Sequence, residues 1–149
     1  MNATASSADR SAWMGLLARC RPERLAALMP QPLPDHSLIR APEIGSVMVR
    51  GRIAAKGSAF NLGEMTVTRC ALRLASGVVG HAYVPGRDRQ HALHAALVDA
   101  LMQTESAPTL RRTCLDPLAE EEVTQRAARA GKVAASKVEF FTMVRGEDK

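Results

Sequence analysis

From Asp9 onward, Trp13, Leu16, Leu17 and Cys20 recur at three- and four-residue spacing, which predicts an amphipathic helix. Pro22 suits the first turn of a second short helix, with Glu23 near its positive end and Leu25, Leu28 and Met29 on one face. Pro30, Pro32, Pro34 and Pro42 then predict an extended connector over 30–45. At 46–54 the period changes to two. Val47, Val49 and Ile53 alternate with Met48, Arg50 and Arg52, so a strand here puts both arginines on one face.

The next strand, about 62–74, has a phase conflict. Met65 and Val67 are apolar at odd positions, whereas Cys70, Leu72 and Leu74 are apolar at even ones. A bulge near Thr68–Arg69 would bring all five to one face. A regular strand buried on both sides would bury charge, so the bulge is preferred. Ser76–Gly77 marks a turn, and a third strand follows with Val79, His81 and Tyr83 on one face, ending at Pro85–Gly86.

Asp88 is placed to cap a helix running to about Met102, with Leu93, Ala96, Leu97, Ala100 and Leu101 as its apolar stripe. A polar linker at 104–113 precedes a helix from Asp116–Pro117. There, Glu120, Glu121 and Glu122 lie early and Arg126, Arg129 and Lys132 late, which suits the helix dipole. The last run, 137–146, reads as a strand apolar on both faces: Val138, Phe140 and Val144 against Phe141 and Met143. The prediction is one α+β domain over 1–149. It has a roughly four-stranded, mainly antiparallel sheet, flanking helices and an N-terminal helical segment at 1–29.

The chain has 149 residues, enough for one domain with a real core. Its formal charge is +5, and Arg supplies 16 of the 20 basic residues. Arginine favours bidentate contact with carboxylate or phosphate, so an anionic ligand or acidic partner is one reading and a solvated basic surface the plainer one. The aromatic residues, five in all, are too sparse for a base-stacking surface, so no nucleic-acid partner is expected. Three scattered cysteines support neither a zinc site nor a disulfide framework. No apolar stretch spans a bilayer and the N-terminus lacks a signal pattern, so a soluble, cytoplasmic protein is expected.

Arg50, Arg52, Arg69, Arg73 and Arg87 can converge on one sheet face, with Glu64, Thr66, Thr68, His81 and Tyr83 as hydrogen-bonding neighbours. That surface suits a polyphosphate or an acidic protein; otherwise it is a set of weak surface ion pairs. His91 and His94 are helix neighbours, but a metal would need further ligands such as His81 or Asp88, so no metal is expected and a solvated helix face is preferred. The run 51–58 fails as a phosphate loop because Lys56 precedes Gly57 and a strand follows. No nucleophile–base pair is legible, so no catalytic residue is expected.

Four segments carry a resemblance: V-M-V-R-G-R at 47–52, F-N-L-G-E-M-T-V-T-R-C-A-L-R-L at 60–74, V-V-G-H-A-Y-V-P-G-R-D-R-Q-H-A at 78–92, and A-S-K-V-E-F-F-T-M-V-R-G-E-D at 135–148. The chain resembles the PhnG-type subunits of bacterial carbon–phosphorus lyase systems over nearly its whole length. The resemblance implies a hetero-oligomeric core with PhnI-type, PhnH-type and PhnJ-type chains. That core transfers the ribose 5-triphosphate of Mg-ATP to an alkylphosphonate and releases adenine, and a PhnI-type chain carries the nucleosidase-like activity. It implies an accessory role, with no cofactor held by this chain alone; self-association of the isolated chain stays open. Arg50, Arg52, Glu64, Thr66, Thr68, Arg69, His81, Tyr83, Arg87, Asp88 and Arg145 are then candidates for ligand or partner contact, and Phe141 and Met143 for packing on a partner.

Overall fold

The computed structural model describes residues 6–53 and 56–136. Helix α1, Ser7–Arg19, starts where the Ser6 hydroxyl accepts from the Asp9 amide at 3.1 Å. Pro22 then opens α2, Pro22–Leu28, at a position where its missing N–H costs nothing. Trp13, Leu16, Leu17 and Leu25 are buried from these two helices, as their spacing predicts.

Three strands follow: β1, His36–Arg52; β2, Ala59–Leu74; and β3, Val79–Pro85. They pair antiparallel in the order β1-β2-β3. The α+β class matches expectation, but among the described residues the sheet has three strands, not four. The expected terminal strand, with Phe141, Met143 and Arg145, lies outside the described residues.

β1 begins ten residues before the predicted position, inside the supposed connector. It tolerates Pro42 because it is an edge strand among the described residues, and the pairing register slips between Arg40 and Glu43, around the proline. The predicted bulge at Thr68–Arg69 is absent: β2 pairs with β3 in unbroken register from Val67–Pro85 to Arg73–Val79. Thr68, Cys70, Leu72 and Leu74 all face the core. The apparent conflict disappears because Thr68 behaves as a core residue. Its hydroxyl donates to the Gly86 carbonyl at 2.8 Å, which removes the penalty for burying it. Met65 and Val67 belong to the opposite face.

Helix α3, Arg89–Leu101, covers the inner face of the sheet, and Asp88 caps it by accepting from the His91 amide at 2.9 Å. Ala92, Ala95, Ala96 and Ala100 are buried, so the helix backbone can approach β3 closely. Gly80 completes that contact. A Cβ there would overlap the Ala96 carbonyl oxygen and lie 2.8 Å from Ala100 Cβ. The predicted linker instead holds a short helix α4, Ala107–Leu110, and a π-helical turn, Arg111–Leu115, which lead into α5, Asp116–Ala135. Leu110, Cys114, Leu115 and Leu118 anchor this end of the core. No helix among the described residues is long and apolar enough to cross a membrane.

Candidate functional site

The pairing pattern decides which candidate side chains meet. Directly opposed residues of antiparallel strands share a face. One cross-strand row is Glu43–Arg69–Tyr83 and the next is Arg40–Ala71–His81. Arg69, His81 and Tyr83 therefore come together on the outer face, away from α3, and Arg73 follows in the row Ser37–Arg73–Val79. Arg40 and Glu43 join them although the sequence reading passed over both.

The remaining strand candidates lie elsewhere. Beyond Val67, among the described residues, the sheet narrows to β1 and β2, which continue as a two-stranded ribbon. Met48 opposes Glu64 and Ser46 opposes Thr66, in phase with the core-facing Thr68. Arg50 and Arg52 continue that row on β1, and Arg52 donates to the Gly57 carbonyl at 3.1 Å. The expected convergence of all the arginines on one face is thus corrected. Arg69 and Arg73 lie on the outer face, and Arg50 and Arg52 on the other side of the ribbon near its tip. The strand period of two enforces this split. Thr68 is fully buried and serves the core, and Asp88 serves as a helix cap. Arg87 is exposed in the bend between β3 and α3.

The ribbon carries large apolar side chains on both faces. Met48, Ile53 and Leu62 are 52%, 70% and 67% exposed, so they are solvated rather than packed. Phe60 lies directly across from Gly51 in the pairing register. A two-stranded ribbon is marginal on its own, and apolar residues on both sides add to its need for cover.

A second polar group was missed altogether. Asp99, on α3, is fully buried and accepts from Arg10 Nε at 3.1 Å, an Arg10 terminal nitrogen at 2.6 Å, Trp13 Nε1 at 3.0 Å and the His81 amide at 2.9 Å. The hydrogen bond to Asp99 raises the Arg10 pKa and keeps the guanidinium charged. Gln103 donates to the Val79 carbonyl at 3.0 Å. Together these groups cap part of the edge of β3 that no described strand pairs with, and hold α1 against it. One signal was available: a lone aspartate within the otherwise apolar run Ala95–Leu101.

His91 and His94 are buried, not solvated as expected. His91 Nε2 lies 2.8 Å from the Leu17 carbonyl, which requires that nitrogen to carry the proton. Burial pushes the His94 pKa down, with the neighbouring His91 adding to the shift. Among the described residues, no group of three or more His, Cys, Asp or Glu is placed to hold a metal ion. The thiols are muted. Burial pushes Cys20 up to about 12 and Cys114 up to about 11, and raises Cys70 as well. At the base of α5, Arg19 pairs with Glu122 at 2.6 Å and Arg24 with Glu121 at 2.6 Å.

The whole chain can be set beside known proteins. A family model described as "Phosphonate metabolism protein PhnG" matches residues 8–146. The alpha-D-ribose 1-methylphosphonate 5-triphosphate synthase subunit PhnG of Rhizobium meliloti (strain 1021) is 41% identical over 150 residues, covering 97% of this chain and 94% of that protein. The outer-face arginines, the ribbon and the glycine-permitted contact with α3 all fall inside the matched region, and the chain belongs to the PhnG family of phosphonate metabolism proteins.

Proposed function

We propose that this chain is the PhnG-type subunit of an α-D-ribose 1-methylphosphonate 5-triphosphate synthase. The observation that carries this reading is the 41% identity, across almost both full lengths, to a relative bearing that name. The reaction joins a phosphonate oxygen to ribose C1′ of Mg-ATP and breaks the N-glycosidic bond, and adenine leaves with a proton. Mg-ATP is the substrate of the assembly, and the nucleosidase-like chemistry belongs to a PhnI-type companion.

The role of this chain is accessory. It docks on the companions and frames the site where transfer occurs, and PhnH-type and PhnJ-type chains complete the complex. The ribbon supports this reading because it offers solvated apolar side chains beside Arg50 and Arg52, a composition that suits a protein partner. Arg50, Arg52, Glu64 and Thr66 on the ribbon, and Arg87 at the bend after β3, are the contacts assigned to the PhnI-type chain. Phe141, Met143 and Arg145 remain assigned to packing and contact with a companion.

Co-expression with the PhnI-type chain tests the docking. The chains should co-purify, and Arg50→Glu/Arg52→Glu should weaken the association while leaving the circular dichroism spectrum unchanged. Undiminished co-purification of that variant would remove the ribbon from the interface. Adenine release by this chain alone, from Mg-ATP and methylphosphonate, would replace the accessory reading with that of an independent enzyme.

A further inference from the structure

The outer face of the sheet holds a hollow that no helix of the described body fills. Its floor is the small Ala71, flanked across the strands by Arg40 and His81. One row along, Arg69 lies between Glu43 and Tyr83. A methyl group among longer side chains leaves a depression of about 370 Å³, walled by Arg40, Arg69, His81 and Tyr83, with no carboxylate in its lining.

The Arg69 guanidinium is under-coordinated. It lies over Gly45, where an added Cβ would come within 3.2 Å of a terminal nitrogen. Its Nε is buried and has no acceptor among the described residues. Glu43 stands 3.5 Å from Arg69 and 3.6 Å from Arg40. Strong charge-assisted contacts are nearer to about 2.8 Å, so one carboxylate serves two arginines poorly. In the rows from Ser37–Arg73–Val79 to Gly45–Val67–Pro85, Glu43 is the sole carboxylate against Arg40, Arg69 and Arg73.

We propose that this hollow receives an acidic side chain, aspartate or glutamate, from a companion subunit. The inference rests on the subunit reading above and adds the chemistry of one contact. Charge complementarity calls for an anion, because the arginines exceed their local carboxylate. The rim calls for a protein: Ile39 and Tyr83 are each 53% exposed beside the arginines, and a small anion would leave them uncovered. Tyrosine and arginine grouped around a pocket are the residue types that carry protein interfaces.

The test uses the co-expressed complex and two variants, Arg40→Glu and Arg69→Gln. Arg40 is half exposed, so its replacement leaves the fold intact even if Arg69→Gln does not. Affinity for the companions should fall about tenfold or more in Arg40→Glu, and the dependence of affinity on salt should become shallower. Affinity within about twofold of wild type in Arg40→Glu would overturn the proposal while leaving subunit membership intact. So would binding of inorganic tripolyphosphate to the isolated wild-type chain that both variants abolish, since the hollow would then be a small-anion site. If the wild-type chain fails to associate at all, the subunit reading itself falls.

Discussion

Asp99→Ala should be the most destabilising of the simple polar substitutions, for a reason that can be worked from the contacts. The carboxylate is fully buried and accepts from Arg10, Trp13 and the His81 amide, with the closest Arg10 contact at 2.6 Å. Removing it leaves two neutral donors, Trp13 Nε1 and His81 N–H, without their acceptor. Each unsatisfied buried donor costs about 1–3 kcal/mol. Arg10 keeps a third of its side chain in solvent and can rehydrate, so its share is smaller than for a sealed ion pair. The two donors together cost about 2–6 kcal/mol, to which Arg10 adds little. For a chain of this size that corresponds to a fall in Tm of roughly 4–24 °C. Asp99→Asn keeps one acceptor but turns an amide NH₂ towards a donor, so it should recover only part of the loss. Urea unfolding followed by far-ultraviolet circular dichroism measures both, and Trp13, the sole tryptophan, reports locally through its fluorescence. A loss below about 1 kcal/mol for Asp99→Ala would show that the cluster does not hold α1 to the sheet as argued.

Other consequences follow from the packing and the pKa shifts. Gly80→Ala should cost about 3 kcal/mol or more, because the new methyl overlaps the Ala96 carbonyl and α3 must lift from β3; unchanged urea unfolding would deny that close approach. Hydrogen bonds from Arg24 and Arg19 hold the Glu121 and Glu122 carboxylates below their usual 4.5. Their modest stabilisation should be present above that value and fade as pH falls through the lowered ones. Amide protection factors at the start of α5 should therefore fall as pH drops below 4.5, and Glu121→Gln/Glu122→Gln should remove that dependence. Cys20, pushed up to about 12, should react with iodoacetamide at pH 8 roughly a hundredfold or more slower than a free thiol; a rate near that of free cysteine would contradict its desolvation.

Local signals in the sequence were reliable wherever the responsible chemistry is local. Asp88 caps α3, Gly77 adopts a φ of +88° in the hairpin turn, and Pro85–Gly86 ends β3 because these residues act on their own backbone. Long-range pairing was not legible. Asp99 meets Arg10 across 89 residues, and nothing in either neighbourhood announces the other. Pro42 argued against a strand, yet an edge position removes the penalty. Thr68 broke the apolar phase on paper, but a carbonyl 18 residues away satisfies its hydroxyl and makes it a core residue. The candidate site was legible as a set of residue types, not as one surface. Once β2 runs without a bulge through 67–73, Arg69 and Glu64 fall on opposite faces. Arg40 and Glu43 went unnoticed because the strand that carries them was read as a connector.

The central claim, that this chain completes a phosphonate ribosyltransferase without performing the chemistry alone, meets its most direct test in reconstitution. Purified companion chains, Mg-ATP and methylphosphonate should release little adenine until this chain is added, and this chain alone should release none. Full adenine release by the companions in its absence would contradict the account.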